Sequence, residues 1–482
     1  MLTLHDGIEQ FLAEKSLWHA LAQWLQCAAP GRVRFTNRDV TYILSRDIAR
    51  LDSLLSAKVN AILHDPRFQK LEASWHGLRY LIDQVEEGEN IRIRVLTVSW
   101  KELVRDLERA IEFDQSQLFR KIYTEEFGMA GGEPYGVLLG DFEIRHRSSP
   151  DHPTDDVETL RAISQVSAAA FAPFVTGVHP SLLGMDSFSE LELPLDLPRT
   201  FEQLEYLKWK AFRDSEDSRF VGLTLPQVLM RLPYENDGTR SDGFGFREDV
   251  EDLGLGKYLW GNAIYAFGAV LVRAFMESGW LATIRGVQRD KRYGGLVTGL
   301  PVHSFSTDKS GVALKCSTNG IVTDSREKEL GELGFIPLCH CADTEFSAFY
   351  GNQSVHRPKQ YDELVATVNA RLSSMLQYIL CVSRFAHYIK VMVRDRVGLF
   401  VGAADCEEYL RRWLMSYTTA SDKGGSELRA KFPLREARVQ LRERPDKPGT
   451  YACVIHLRPH LELDQMVTAV RLVTELAPGQ LA

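Results

Sequence analysis

The sequence predicts a mixed α/β (α+β) protein of two or three domains, and three observations lead there. Apolar residues recur at helical spacing near the N-terminus and again over Leu364–Arg394. Short apolar runs bounded by turn residues, YGVLLGDFEI at 135–144 and APFVTGV at 172–178, read as buried strands. Beyond Gly424 and Gly425 apolar and polar residues alternate, as in half-buried strands. A chain of 482 residues exceeds what one core organises. It divides into an N-terminal helical segment (1–60), a large mixed central domain (61–362) and a C-terminal helix-plus-strand domain (363–482).

Taken in order, Ile8, Leu12, Trp18, Leu21 and Leu25 share roughly one face, so residues 4–26 read as one amphipathic helix or two short ones. A helix is predicted over Asp39–Leu63, with Ile43, Ile48, Leu51, Leu54, Leu55 and Val59 inward. Ile62, Phe68, Leu71, Trp75, Leu78 and Ile82 then fall mostly three and four apart, one apolar stripe along a further helix. Asp65 is placed to cap it, Pro66 suits its first turn, and Gly88 stops it. Ile91, Ile93 and Val95 alternate with Arg92 and Arg94 as in a half-buried strand over Ile91–Ser99. Ser99 caps a helix running to Glu112. The Pro-, Ser- and Asp-rich stretch 145–156 is a loop, and a helix over Val157–Ala170 leads into the strand at 172–178. Glycine-dense 285–320 reads as long loops and short strands. Leu364, Val368, Leu372, Leu376, Ile379, Phe385 and Ile389 recur without an intervening proline, making Leu364–Arg394 the longest predicted helix. A helix near Cys406–Tyr417 precedes strands at Arg438–Leu441, Tyr451–Leu457 and Met466–Leu476.

Composition excludes several classes. Hydrophobic content of 44% with 25% charged residues is that of a folded soluble protein, and a net charge of −8 argues against a nucleic-acid footprint. Cys27, Cys316, Cys339, Cys341, Cys381, Cys406 and Cys453 are scattered and odd in number, which fits a reducing compartment. The N-terminus lacks a secretory pattern, and no run approaches the roughly 20 apolar residues that cross a bilayer. The chain reads as cytoplasmic and not membrane-embedded.

Chemistry is sparse. Gly256-Lys257 lacks the first glycine and the hydroxyl residue of a phosphate-binding loop, and Gly243-Phe244-Gly245 meets Glu248 where a dinucleotide fingerprint needs glycine. Cys339, His340 and Cys341 are soft ligands, but neighbours on a strand point to opposite faces and could not easily share one metal. Asp214, Glu216 and Asp217 are carboxylates that could serve acid–base work. Against that stand the adjacent Arg213 and Arg219, which suit a solvated or ion-paired turn. Arg213 with Glu216 reads as a buried ion pair. The basic run Arg435, Arg438, Arg442, Arg444 and Lys447 could meet phosphate, a solvated strand face or a protein partner. A hydrolase built on Asp214, Glu216 or His387 would gather them in a concave pocket.

Several segments together resemble one family. AILHDPRFQKLEASWHGLRYLI at 61–82 carries Leu63, Pro66, Phe68, Gln69, Leu71, Glu72, Trp75, Leu78, Tyr80 and Leu81. KWKAFRDSEDSRFVGLTLPQVLMRLPY at 208–234 carries Trp209, Arg213, Glu216, Asp217 and Arg219, and YLWGNAIYAF carries Trp260, Asn262 and Tyr265. From near Asn37 to Leu476 the chain resembles the large subunit of the type VI secretion system contractile sheath, the TssC/VipB family. The resemblance implies a structural protein without cofactor, metal or catalytic residue. It implies pairing with a small sheath subunit of the TssB/VipA type, and copies of the pair stacked in a helical sheath around an inner-tube protein. Contacts with a baseplate and a ClpV-type unfoldase belong to the same picture.

On that resemblance the C-terminal sheet is completed by partner strands, with Tyr451, Cys453, Ile455 and Leu457 on one strand and Val467, Ala469 and Val473 on the next. Family members commonly carry a longer N-terminal region, part of which the unfoldase engages. Here the Ile8–Leu25 helix is the segment available for that contact or for the small subunit. A self-assembling phage-like tail sheath is the related alternative.

Overall fold

The computed structural model describes residues 11–460 apart from 30, 32–33, 87, 89, 130, 239–243, 251–254, 282, 288–293, 307–312, 342–343, 396–402, 420–427, 429–430 and 444–450. Ile8 and the expected strand Met466–Leu476, with Val467, Ala469 and Val473, lie outside the described residues. The chain forms two compact units, Met1–Glu72 with Leu232–Leu259, and Ala73–Arg231 with Trp260–Ala482.

The first unit is built on helices Leu17–Ala28 and Asn37–Leu63. Thr36 and Asp39 form a reciprocal capping box that satisfies amides at the start of the longer helix. Its apolar residues do not turn inward as expected. Only Ile43 is buried, while Ile48, Leu51, Leu54 and Leu55 are exposed and Val59 is half-buried. Periodicity puts residues on one face without saying what that face meets. Leu25 is buried and Leu21 half-buried, whereas Leu12 and Trp18 point to solvent. The returning segment is held by the buried Glu248, which accepts from the Tyr234 amide at 3.0 Å and lies 3.4 Å from His64 Nε2.

A six-stranded mixed sheet organises the second unit, in the order β1 (Leu138–Ile144), β2 (Phe174–Val178), β3 (Val221–Leu225), β9 (Ile336–His340), β10 (Ser347–Phe349), β6 (Leu296–Val297). Neighbours from β1 to β9 run parallel, and β10 is antiparallel to both its neighbours. Central β2 and β3 are buried along their whole length, which is why they read as apolar runs without alternation. Helix Asp156–Ala170 packs beside them, started by Asp155 accepting from the Glu158 amide.

Helix Pro66–Asp83 begins as expected, with Asp65 accepting from the amides of Arg67 and Phe68. Its buried face is Ala73, Gly77 and Leu81, not the predicted stripe; Leu71, Trp75 and Ile82 are exposed. Close approach explains this choice of small residues. A Cβ on Gly77 would stand 2.2 Å from Cδ2 of Tyr265 on helix Ile264–Ser278.

Two further expectations fail. Ile91–Ser99 is extended but belongs to no sheet, and Ile93, Val95 and Leu96 are exposed. Leu364–Arg394 is two helices, Leu364–Ser373 and Leu376–Asp395. The break comes at Ser374, whose carbonyl accepts from the Ser354 amide at 3.0 Å, while the Leu376 amide donates to Asn352 at 2.8 Å. Competing tertiary hydrogen bonds replace the helical ladder there, so no proline is needed to interrupt it. By contrast, Ser99 caps helix Trp100–Arg109 as expected, and Glu102 completes a capping box with it.

Asn262 joins the sheet to a helix. Its Nδ2 donates to the Phe142 carbonyl at 2.9 Å, where β1 and β2 lose register, and its Oδ1 accepts from the Ile264 amide at 3.1 Å. Gly177 makes room: a Cβ there would lie 2.4 Å from Asn262 Nδ2. Asn262→Ala leaves the Ile264 amide without its partner and the Phe142 carbonyl with the Thr176 hydroxyl at 3.0 Å alone, so it should lower the unfolding free energy by about 1–2 kcal/mol in urea titration.

Candidate functional site

β11 (Leu434–Glu443) and β12 (Tyr451–Pro459) form an antiparallel pair with Val439 opposite Ile455, Ala437 opposite Leu457, Leu441 opposite Cys453 and Glu443 opposite Tyr451. Ile455 and Leu457 are half-buried against a cluster containing Phe385, Ile389, Leu410, Leu414 and Trp280, from helices Leu376–Asp395 and Ala403–Met415 and the turn at Trp280. Trp280 stacks on Phe385 at 4.3 Å between ring centroids. On the opposite face Val454 is exposed, and Glu436 bridges Arg438 at 2.7 Å and Arg458 at 4.0 Å. One face is thus seated on its own core. Among the described residues the pair has no third strand, so the sheet is two strands wide. The basic run contributes Arg438 to the Glu436 pair, while Arg444 and Lys447 lie outside the described residues.

The family-motif residues are placed mostly inside. Trp209 is buried and stacks on Phe335 at 6.3 Å. Trp260 sits in β5 (Trp260–Gly261), pairs with Leu229 of β4 (Val228–Leu229) and stacks at 5.8 Å on Phe305 of β7 (His303–Ser306), which pairs with β8 (Ala313–Cys316). Tyr265 donates from its hydroxyl to Asp141 Oδ2 at 3.0 Å, and the Ser74 hydroxyl donates to the same oxygen. Burial, with the Asp141 carboxylate beside it, pushes the Tyr265 phenol up, so it stays a donor. Asp141 was invisible in the sequence, because its two partners lie 67 and 124 residues away. Trp75, with 66% of its surface exposed, and Glu216 are the exceptions.

Arg213 and Glu216 do not form the expected pair. Arg213 is buried, and its guanidinium donates to the Val355 and Glu332 carbonyls, each at 3.0 Å. Burial and the nearby Arg357 charge push it down to about 10, still protonated at neutral pH. Glu216 is exposed and meets Arg219 and Lys359 instead. Carbonyl oxygens fixed by the fold are partners that demand no second buried charge. Asp217 is half-buried in the 3-10 turn Glu216–Phe220.

No catalytic constellation joins Asp214, Glu216 and His387. Asp214 is held by Arg357 through two hydrogen bonds of 2.8 and 2.7 Å. His387 is buried, donates from Nε2 to the Ala170 carbonyl at 2.9 Å and lies edge-on to Phe127. A cavity of about 740 Å³ opens beside Leu457, but its lining, including Phe171, Phe220, Leu372 and Tyr378, holds neither a carboxylate nor a histidine. Cys339 is buried on β9 with its thiol pushed up to about 12 by burial, and Cys341 is half-buried near Tyr350. No group of three or more potential ligands gathers among the described residues, and no described helix is long and apolar enough to cross a membrane.

Burial, with help from the Arg384 and Lys390 charges, pushes His387 down to about 4 from 6.5. A histidine held neutral in the fold binds fewer protons than in the unfolded chain, so its contribution is complete above pH 6.5 and is lost as pH falls toward 4. Acidification to about pH 5 should cost roughly 2 kcal/mol through this group. His387→Gln, which keeps an N–H for Ala170, should flatten the stability profile from pH 7 to 5 measured by denaturant titration.

Residues 45–356 match the family model described as EvpB/VC_A0108, tail sheath N-terminal domain, and residues 365–476 match the EvpB/VC_A0108 tail sheath gpW/gp25-like domain. The chain is 41% identical over 432 residues, 89% of its length and 85% of the relative's, to the type VI secretion system sheath protein TssC1 of Pseudomonas aeruginosa. Among solved structures, a chain of the anti-feeding prophage baseplate aligns over 80% of this chain and 83% of its own, with 10% identity and a TM-score of 0.37, too low to carry an argument. With both sheath models matched and a curated relative at this identity, the chain belongs to the TssC/VipB family of type VI secretion sheath large subunits and is a structural sheath protein, not an enzyme.

Proposed function

We propose that the chain pairs with a small sheath subunit of the TssB/VipA type, and that the pairs stack as a helical cytoplasmic sheath around an inner-tube protein. Contraction of that sheath would drive effector delivery. The observation that carries this reading is the two-stranded β11–β12 sheet, packed on one face and without a third strand among the described residues. Two strands alone are marginal in water and leave open edges. Strands added from partners satisfy those peptide groups, as in β-augmentation.

The residues proposed for that exchange are Tyr451, Cys453, Ile455 and Leu457, with Val467, Ala469 and Val473 on the following segment. The division into 1–60, 61–362 and 363–482 belongs to the same reading, with the last part as the strand-exchanging sheath core. Contacts with the baseplate and with a ClpV-type unfoldase, the latter through the Ile8–Leu25 region, complete it. Interfaces made of main-chain ladders suit a contracting tube, because sheets tolerate twisting between neighbours without losing their hydrogen bonds.

Expression of the chain with and without a small sheath subunit, followed by electron microscopy, tests the proposal. Tubes should form only on co-expression. Tubes from this chain alone would favour a phage-like sheath, and free chains in both cases would overturn the reading. Neighbouring N–H groups of an antiparallel strand face opposite borders. Of Ile455→Pro and His456→Pro, one therefore removes a donor toward β11 and the other a donor toward the open border. The latter should abolish tubes while leaving the folded chain intact by circular dichroism.

A further inference from the structure

His146, His152 and His179 lie where β1 and β2 end. The segment from Arg145 to Asp155 joins β1 to helix Asp156–Ala170 and carries the first two, and His179 follows β2 directly. Side chains strap this segment down. Its inner end is fixed on the buried Asp156, whose carboxylate accepts from Trp100 Nε1 at 2.7 Å and from the Arg145 amide at 3.0 Å. The Thr154 hydroxyl and His152 Nε2 reach the same carboxylate at 2.8 Å each. Two outer links tie the strap to the turn Leu204–Tyr206 and the helix after it. Asp155 meets Lys208 Nζ at 2.7 Å, and Arg147 donates to Glu205 Oε2 at 3.1 Å.

His146 is placed unlike the other two. Its ring is buried and stacks on the fully buried Tyr206, 4.4 Å between centroids and 16° from parallel. Among the described residues neither ring nitrogen has a hydrogen-bond partner, and the Tyr206 hydroxyl has none either. Such a site tolerates a neutral imidazole and penalises an imidazolium, which needs a counter-charge once removed from water. Glu205 Oε1 lies 3.9 Å from His146 Nε2, too far for a hydrogen bond, while its Oε2 is engaged by Arg147. The Arg147 pair is exposed and adds little, whereas a carboxylate beside a buried imidazolium replaces lost hydration. Burial holds His146 below its usual range, with Glu205 drawing it up and Arg147 pushing it further down. The Ser181 main chain also favours the charged ring but stands outside hydrogen-bond geometry. The neighbouring groups are already committed. His152 faces Asp156, and Asp155 is taken by Lys208. His179 accepts the Ser181 amide on Nδ1 at 3.2 Å, and burial, with the Arg145 and His152 charges, holds it down to about 4.

We propose that Glu205 is a two-position switch: protonation of His146 moves its carboxylate from Arg147 to the imidazolium, closing a buried ion pair and releasing one outer link of the 145–155 strap. The move is a closure of about 1 Å, from 3.9 Å to hydrogen-bond length, within reach of side-chain rotation. With His146 neutral the strap is tied at both Lys208 and Glu205. With His146 charged it is tied at Lys208 alone, and Arg147 is set free. The anchor on Asp156 serves both states, so the change is confined to this corner and is independent of the assembly proposed above.

Histidine-selective NMR on the full chain reads the protonation midpoint of His146. Glu205→Gln should lower it by about one pH unit or more, and Arg147→Gln, which leaves Glu205 to the histidine, should raise it. Hydrogen–deuterium exchange reads the strap. The Ser149 and His152 amides bond across their turn at 2.8 and 3.0 Å, and their protection should fall by up to about fivefold between pH 7 and pH 5. In His146→Gln the fall should be absent, with near-ultraviolet circular dichroism confirming the fold in each case. A His146 midpoint that stays in place in Glu205→Gln, or that fails to rise in Arg147→Gln, overturns the switch. So does a strap that loosens equally in the parent and in His146→Gln, or a His146 signal that titrates only as the fold is lost.

Discussion

A peptide group in extended backbone must hydrogen-bond to another peptide group or to water, and that requirement sorts this chain into finished and unfinished parts. β2 and β3 are finished: each has a strand on either side and is buried throughout. Among the described residues the β11–β12 pair stops at two strands, and Ile91–Val98 has no main-chain partner. A monomeric enzyme has little reason to hold extended apolar backbone in reserve. A subunit joined by the strand addition proposed above does.

The finished part is pinned by a few buried polar groups, each serving elements far apart in sequence. Asn262 closes the irregularity between β1 and β2 and starts a helix. Asp141 gathers Ser74 and Tyr265. Arg213 fixes the end of helix Asp324–Glu332 and the segment at Val355 through their carbonyls. Polar contacts of this kind fix geometry more than they add stability, because alternative packings would leave the same groups unsatisfied. A body that transmits force between rings gains from such fixed geometry.

Much of this was legible in the sequence. The Asp65 and Ser99 caps, the apolar runs of β2 and β3 and the alternation along β12 each follow from local chemistry, and each appears in place. What failed was everything that depends on a distant partner. The stripes on helices Asn37–Leu63 and Pro66–Asp83 were periodic as expected but mostly face solvent; on the second, Ala73 and Gly77 permit the closer contact on the other side. Arg213 was given a carboxylate nearby in sequence and found carbonyls more than a hundred residues away. Ser374 ended a helix through bonds to residues 352–354 that no propensity encodes. Arg92 pairs with Glu133 and Arg94 with Glu126. That clamp had a visible signal, two cations two apart in a β pattern, but nothing local identified those glutamates as the partners.

The uncovered helix faces carry a cost for the cell. Leu51, Leu54 and Leu55 on one helix, and Leu71 and Trp75 on the next, give an orphaned polypeptide an oily surface that invites clumping with its own kind. If the small subunit proposed above is what covers them, any surplus of this chain over that companion would be a liability, and matched dosage of the two gene products a requirement of the architecture.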